Sequence, residues 1–211
     1  MKYISKKMFI VPVISLLISA AVYPSLPEQI PVHFGFNGMP DNYAGKWFVF
    51  VIPLISALLT FVAEFMPKID PKGHNYEKFP KAYQLIHWLV NLVLCGCNIF
   101  IIIYSLGYEF NVGYLAGPMV GIMFIILGNY MPKFKQSFFC GIKTPWALAD
   151  EENWYKTHRF GGRLWVLGGV LFMAFPFLPN SYLPAVMIVL VLVLAFVPYL
   201  YSYLIFRNKN K

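Results

Sequence analysis

Four side chains that can carry chemistry lie inside long apolar runs of the sequence: Glu64, His87, Cys95 and Cys97. Ionisable groups at membrane depth are candidates for function because burying them costs free energy. Glu64 lies at the end of its run, where contact with the interface or pairing with Lys68 explains it without catalysis. His87 fits a buried, hydrogen-bonded histidine better than a catalytic base. The two cysteines point to different faces of a helix and need further ligands to bind one ion together.

No familiar catalytic motif accompanies these groups. The sequence lacks His-Glu-x-x-His, Gly-x-Ser-x-Gly and Gly-x-x-x-x-Gly-Lys-Ser/Thr, which are typical of zinc hydrolases, serine hydrolases and nucleotide-binding proteins. His33 and Asp41 can pair with each other or contribute to a metal site, but two ligands are too few for zinc. We therefore predict that the protein is not an enzyme and has no cofactor and no metal.

The composition indicates which kind of protein must position these groups. Of 211 residues, 59% are hydrophobic and 12% are charged, and the mean hydropathy is +0.61. Soluble domains carry about 25% charged residues. An ordinary soluble domain and a disordered chain are therefore excluded, and three cysteines are too few for a disulfide framework. Membrane topology explains the net charge of +8, so no direct nucleic-acid partner is expected.

Six apolar stretches are long enough, or nearly so, to cross a bilayer as helices. A hydrocarbon core about 30 Å thick needs roughly 20 apolar residues in a helix. The stretches are continuous and lack the alternation of barrel strands. We predict an all-α, polytopic membrane bundle with six spans. The stretches are Met8–Tyr23, Trp47–Met66, Tyr83–Leu106, Gly113–Tyr130, Leu164–Leu178 and Tyr182–Phe206.

The basic residues indicate the orientation of this bundle. All 17 lysines and arginines except Lys46 fall on one side of the six-span arrangement. Because basic loops stay in the cytoplasm, both termini are predicted to be cytoplasmic in a multi-pass cell-membrane protein. A cleaved signal peptide is an alternative for the first stretch, which ends in Ser19-Ala20-Ala21. We favour an uncleaved span because cleavage would remove a helix from a small bundle.

The first loop, residues 24–46, faces outward and has the pattern of a small ordered cap. Apolar residues alternate over Ile30–Phe36, as in a short strand. Asn37-Gly38 predicts a tight turn, and Pro40-Asp41 predicts a second one. A rigid connector and a surface that binds an extracellular ligand both remain open. The residues assigned to ligand binding are Pro31, His33, Phe34, Asn37 and Asp41.

The fourth loop, residues 131–163, faces the cytoplasm. Thr144-Pro145 is typical of a helix start, with a hydroxyl cap followed by proline in the first turn. Asp150 is a second candidate start, because carboxylates are favoured at a helix N-terminus. The residues that follow predict a helix lying in the membrane interface or, alternatively, a surface that docks a partner. The residues assigned to the partner surface are Thr144, Pro145, Trp146, Trp154, His158 and Arg159.

Small residues within the spans predict close helix packing. Gly117 and Gly121 form a small-xxx-small pair, and Gly168-Gly169 gives another surface for close approach. The absence of a convincing internal repeat disfavours an inverted-repeat transporter. We divide the sequence into an N-terminal two-span unit, residues 1–82, and a C-terminal four-span unit, residues 83–211.

Segments of both informative loops resemble the SdpI family of membrane proteins. In the outer loop, Ile30–Phe34 followed by Asn37-Gly38 and Asp41 resembles the family's outer signature. In and beside the fourth loop, three segments resemble Gly-Asn-x-x-Pro-Lys, Gly-Ile-Arg-Thr-Pro-Trp and Trp-x-x-Thr-His-Arg. Lys143 stands where arginine is commoner in this pattern, which keeps the charge and loses the guanidinium geometry. The three segments are Gly128–Lys133, Gly141–Trp146 and Trp154–Arg159.

The resemblance implies a function that the composition does not. It implies an immunity protein that protects a Gram-positive bacterium from a secreted toxic peptide of the sporulation-delaying type. It also implies a signalling receptor that holds a winged-helix transcriptional repressor at the membrane. The expected partners are thus the toxic peptide, the repressor and the lipid bilayer. A small-molecule or peptide exporter is the alternative, and a membrane chaperone or structural subunit is a third interpretation.

Overall fold

The computed structural model describes residues 3–209, and these residues form mainly long helices. Six helical segments in this part of the chain are long and apolar enough to cross a membrane. They confirm the predicted all-α polytopic bundle, to which one small two-stranded sheet is added. The candidate spans are Lys6–Ser25, Lys46–Ile69, Pro80–Ser105, Gly113–Lys133, Glu151–Phe177 and Leu183–Lys209.

The helices and strands follow the chain in a simple order. The strands lie between the first two long helices, and a short helix precedes the fifth span. In order, the elements are α1 (Ile10–Val22), β1 (Gln29–Phe34), β2 (Pro40–Gly45), α2 (Val51–Ile69), α3 (Pro80–Ser105), α4 (Gly113–Tyr130), α5 (Pro145–Ala149), α6 (Glu151–Met173) and α7 (Leu183–Lys209).

Helix α6 begins at Glu151, well before the predicted start of the fifth span at Leu164. Asp150 caps it, because its side chain accepts a hydrogen bond from the Glu152 backbone N–H at 3.0 Å. Two acidic residues occupy the first turn, where the helix dipole favours them. The predicted separate interfacial helix is therefore wrong, because this segment continues into the span without a break.

The chain folds into two compact units. Unit 1 comprises the chain up to Glu64 together with Leu85–Ala116. Unit 2 comprises Phe65–Gln84 and the chain from Gly117 onward. The predicted division of the sequence after residue 82 stays a prediction.

The apolar core of unit 1 anchors the outer loop to the helices. Ile30 of β1 and Val49, from the turn before α2, are fully buried. They pack in one cluster with Leu26 and with Ile101 and Ile102 of α3. Full burial of such a side chain contributes about 1.5–3 kcal/mol. The first strand is thus part of the hydrophobic core.

Buried polar side chains join the helices of unit 1. Asn98 of α3 donates to the hydroxyls of Ser15 and Ser19 of α1 at 3.2 and 2.9 Å. Two turns earlier in α3, Asn91 accepts from Ser56 and Thr60 of α2 at 2.7 and 3.0 Å. Hydrogen bonds of this kind hold membrane helices together. Removal of α1 would take both serine partners from the Asn98 amide.

Helices α4 and α6 of unit 2 approach through two reciprocal pairs of glycines. A Cβ added at Gly121 would lie 2.5 Å from the Gly169 carbonyl oxygen, and one at Gly169 would lie 2.5 Å from the Gly121 oxygen. Gly128 and Gly162 meet in the same way, also at 2.5 Å. Only residues without a Cβ allow two backbones to pack this closely. The close packing predicted at Gly121 and Gly169 is confirmed.

Candidate functional sites

The outer hairpin, residues 29–45, is formed by β1 and β2, which pair antiparallel. The predicted strand is confirmed, although it ends at Phe34. The predicted turn at Asn37-Gly38 is also confirmed, with Gly38 at φ +73°. The predicted second turn at Pro40-Asp41 is wrong, because both residues belong to β2. Proline is tolerated there as the first residue of a strand.

The connection between α3 and α4 fixes the turn of the outer hairpin. Asn111 Nδ2 donates to the Asn37 carbonyl oxygen at 2.9 Å. The Val112 backbone N–H donates to the Gly38 carbonyl oxygen at 3.1 Å. Within the turn, Asn37 Oδ1 accepts from the Met39 backbone N–H at 3.0 Å. These hydrogen bonds within the protein hold the turn in one conformation, which lowers the entropic cost of binding a ligand.

His33 and Asp41 face each other across the hairpin. His33 Nδ1 lies 2.5 Å from Asp41 Oδ1, and the side chains are 68% and 52% exposed. A solvent-exposed pair contributes about 0–1 kcal/mol to stability. Within the described residues, no group of three or more His, Cys, Asp or Glu is arranged to hold a metal. The pair thus offers an exposed polar contact with little structural role.

The five residues assigned to ligand binding do not share one surface. His33, Asn37 and Asp41 are exposed, whereas Pro31 is buried and Phe34 is half-buried. The Phe34 ring packs edge-on against Tyr104, with centroids 5.5 Å apart. Their assignment to ligand binding stays a prediction.

Two exposed apolar residues, neither of them among the five assigned to ligand binding, lie on either side of Asn37-Gly38. Phe36 is 48% exposed and Met39 is 46% exposed. We call these two side chains the apolar tip. Phe36 lies within the turn, because the Gly38 N–H donates to the Gly35 carbonyl oxygen at 2.9 Å, and Met39 follows it. The Asn37-Gly38 signal in the sequence already placed both residues at the end of a hairpin.

The inner loop, residues 134–150, is held against α6 by Trp154 and His158. Trp154 Nε1 donates to the Phe134 carbonyl oxygen at 2.8 Å. The Ile142 backbone N–H donates to His158 Nε2 at 2.9 Å, and His158 Nδ1 lies 2.8 Å from the Trp154 carbonyl oxygen. Because Nε2 accepts, Nδ1 carries the proton and donates, so this arrangement fits a neutral ring.

Gly141 permits this close approach of the loop to α6. Its φ of +97° lies in the left-handed region, which favours glycine. A Cβ at this position would lie 2.3 Å from His158 Nε2 and 3.0 Å from Trp154 Cζ2. The glycine, tryptophan and histidine of the signature therefore form one interlocked contact.

A second buried network joins α5 and α6 to α7. Asn153 Oδ1 accepts from Ser202 Oγ at 2.7 Å and from Thr157 Oγ1 at 3.0 Å. Asn153 Nδ2 donates to the Ser202 carbonyl oxygen at 2.9 Å. Thr144 Oγ1 lies 2.6 Å from Ser202 Oγ and accepts from the Ala147 backbone N–H at 3.0 Å. The predicted helix cap at Thr144 is therefore confirmed.

A third cluster, missed in the sequence, joins the second loop to the inner loop. The Asp70 carboxylate accepts from Tyr76 Oη at 2.8 Å, from the Phe138 backbone N–H at 2.8 Å and from the Lys72 backbone N–H at 2.7 Å. Burial, together with the hydrogen bond to Asp70, raises the pKa of Tyr76, so this hydroxyl stays a donor. Asp70 and Phe138 are 68 residues apart in sequence, so no local pattern links them.

The residues assigned to a partner surface fall into two groups. One group is buried in the contacts described above, and the other reaches the surface. The buried group contains Thr144, Trp154 and His158, which are 0%, 3% and 0% exposed. The other contains Pro145 and Arg159, which are exposed, and Trp146, which is half-buried. The buried side chains can position a contact surface, whereas only the other three can touch a partner directly.

Comparisons with known proteins cover both of these regions. A profile of the SdpI/YfhL protein family matches residues 133–202, which contain the inner loop, α6 and most of α7. A profile of a domain of unknown function, DUF1648, matches residues 10–57, which contain α1 and the outer hairpin. No solved structure gives a significant match.

One relative matches over nearly the whole length. The Immunity protein SdpI of Bacillus subtilis (strain 168) is 31% identical over 201 residues, which cover 95% of this chain and 95% of that protein. Together with the six candidate spans, this match identifies a multi-pass protein of the cell membrane. The chain therefore belongs to the SdpI family.

Proposed function

We propose that this protein is an immunity protein that protects its cell by binding a secreted, apolar toxic peptide at the outer hairpin. The relative in Bacillus subtilis is named an immunity protein. The observation that carries the proposal is the apolar tip, where Phe36 and Met39 are exposed on a turn fixed by Asn111. Binding at this site removes the peptide before it enters the bilayer.

The chemistry of the hairpin suits an apolar peptide with a polar edge. Exposed apolar side chains gain free energy when a partner covers them. Each contributes about 1.5–3 kcal/mol when fully buried. The exposed pair of His33 and Asp41 adds a donor and an acceptor beside the tip. The turn is already ordered, so binding does not have to order it.

Survival of a toxin-sensitive strain tests this proposal. Expression of the protein is expected to raise survival when the strain meets a sporulation-delaying-type peptide. The double variant Phe36→Ser/Met39→Ser is expected to weaken peptide binding about 100-fold or more and to abolish protection. Phe177→Ser is the control, because Phe177 is an 86% exposed aromatic residue in the connection between α6 and α7, outside the hairpin.

Membrane insertion must be confirmed for each variant. Unchanged survival on expression of the inserted wild-type protein would contradict immunity to that toxin. Full protection by the inserted double variant would exclude the apolar tip as the binding surface while leaving immunity intact.

We also propose a signalling role, in which the inner loop recruits a winged-helix repressor once the toxic peptide is bound. Exposed Pro145 and Arg159 would make the contact, and buried Trp154 and His158 would hold the surface in place. Such a response requires two states of the protein that bind the peptide unequally.

Fractionation of the repressor tests the signalling role. Arg159→Ala is expected to lower the membrane-bound fraction of repressor while protection stays normal, and Arg163→Ala, another exposed arginine one turn later, is the control. Recruitment that is unaffected by Arg159→Ala would remove this surface from the proposal.

A further inference from the structure

An open apolar groove of about 480 Å³ runs along α7 beside α5, within unit 2. It lies on the last candidate span, Leu183–Lys209, so its surroundings in the cell are lipid rather than water. Its lining is apolar and aromatic, which suits a hydrocarbon chain. The lining residues are Trp146, Phe196, Val197, Tyr199, Leu200 and Tyr203.

Trp146 forms a fixed wall of this groove. Its ring packs against Tyr199 and Tyr203 of α7, with centroids 5.4 and 5.1 Å apart. Helix α5 cannot easily shift, because buried Thr144 caps it and contacts Ser202. The groove is therefore a preformed feature of the fold.

Hydrogen-bond donors remain available around the groove. Trp154 and Trp165 each donate their indole N–H to a backbone carbonyl, at 2.8 and 3.2 Å. Within the described residues, the indole of Trp146 and the hydroxyls of Tyr199 and Tyr203 make no such bond. Tryptophan and tyrosine with a free polar end are typical of the membrane interface, where headgroups accept these hydrogen bonds.

Two cations lie close in sequence to residues that line the groove. Arg207 follows Tyr203 by one helical turn and so lies on the same face of α7. Lys143 lies three residues before Trp146, and both cations are exposed. Lys209, in contrast, pairs with Asp150 at 2.9 Å. Among the described residues, no carboxylate pairs with Arg207 or Lys143.

We propose that this groove binds an anionic phospholipid of the cytoplasmic leaflet. One acyl chain lies along Phe196, Val197 and Leu200, and the phosphate meets Lys143 and Arg207. Apolar walls and cations close to them in sequence match the two parts of such a lipid, and juxtamembrane basic residues attract anionic headgroups. This assigns Trp146 to the lipid-facing surface rather than to a protein partner, and it does not depend on the immunity function.

Quenching of tryptophan fluorescence by brominated lipid tests this site. The full chain is placed in phosphatidylcholine nanodiscs that contain a minor fraction of either brominated phosphatidylglycerol or brominated phosphatidylcholine. The Trp146 signal is the difference between wild type and Trp146→Phe, which keeps an apolar wall. We expect brominated phosphatidylglycerol to quench this signal with about five-fold or greater preference, since each basic residue near the surface favours an anionic lipid.

Two charge-matched variants separate the site from the overall charge. Lys143→Gln/Arg207→Gln is expected to lose the preference, whereas Lys135→Gln/Arg163→Gln, which removes the same charge at other exposed positions, keeps it. Equal quenching by the two lipids in wild type would overturn the headgroup selection. Absence of Trp146-dependent quenching by either lipid would overturn the lipid site.

Discussion

The outer hairpin and the inner loop each contain a histidine that sequence patterns assign to binding, yet the two side chains lie in opposite environments. The side chain of His33 is 68% exposed and has Asp41 as its partner. His158 is fully buried, and both of its ring nitrogens are engaged. The first can contact a ligand, whereas the second fixes the loop that would do so. Both histidines were assigned to binding from residue type and spacing alone. Their different burial is what distinguishes their roles.

The energetics of the two regions differ accordingly. An exposed pair such as His33–Asp41 contributes about 0–1 kcal/mol, so losing it leaves the fold nearly unchanged. A buried group that loses its partner costs about 1–3 kcal/mol, because its desolvation is no longer compensated. We therefore expect substitutions in the inner loop to act through folding and those in the outer hairpin to act through binding.

Gly141→Ala should give the largest effect on stability. The left-handed backbone of this residue alone costs about 1 kcal/mol with alanine, and the new Cβ would lie 2.3 Å from His158 Nε2. Overlap in a packed site adds about 1–3 kcal/mol. The thermal midpoint of the detergent-solubilised protein measures the combined effect.

Gly107→Ala is the matched control for this substitution. Gly107 has a similar φ of +92°, but nothing lies within 4 Å of an added Cβ. It should therefore show the backbone cost alone. Equal shifts of the thermal midpoint in the two variants would mean that the inner loop is not tightly packed against α6, and the contrast with the hairpin would fail.

Asn153→Ala should have the next largest effect. It removes the acceptor of Ser202 Oγ and Thr157 Oγ1 and the donor to the Ser202 carbonyl, all of which are buried. We expect a loss of about 2–3 kcal/mol, seen as a lower thermal midpoint. Asn208→Ala is the control, because Asn208 is an exposed asparagine near the end of α7. An unchanged midpoint for Asn153→Ala would show that this network does not support the inner loop.

Local patterns predicted the parts of the molecule that depend on neighbouring residues. The six spans follow from continuous apolar runs, the hairpin turn from Asn37-Gly38 and the α5 cap from Thr144-Pro145. The start of α6 at Asp150 was also predicted, but its unbroken continuation into the fifth span was not, because the first turns are polar and polar residues suggest exposure. Asn153, Thr157 and His158 are instead buried and satisfied by partners in α6, α7 and the inner loop.

Local patterns could not predict contacts between residues that are distant in the sequence. Glu64 was expected to reach the interface or to pair with Lys68. It is 4% exposed, and its carboxylate accepts from the backbone N–H groups of Tyr3 and Ile4 at 3.1 and 2.9 Å. A backbone donor carries no residue signature, so sequence reasoning could not supply this partner. The Asp70 cluster was missed for the same reason, because one of its donors is the Phe138 backbone.

His33→Ala should have the smallest effect on stability and the sharpest diagnostic value. We expect a change within about 1 kcal/mol, because the pair with Asp41 is exposed. In a double-mutant cycle with Asp41→Ala, the coupling energy should be similarly small, while survival under toxin challenge falls in each single variant. A drop in thermal midpoint as large as that of Asn153→Ala would place His33 in the same structural class as His158. In that case His33 would belong to the structural framework of the hairpin rather than to its binding surface.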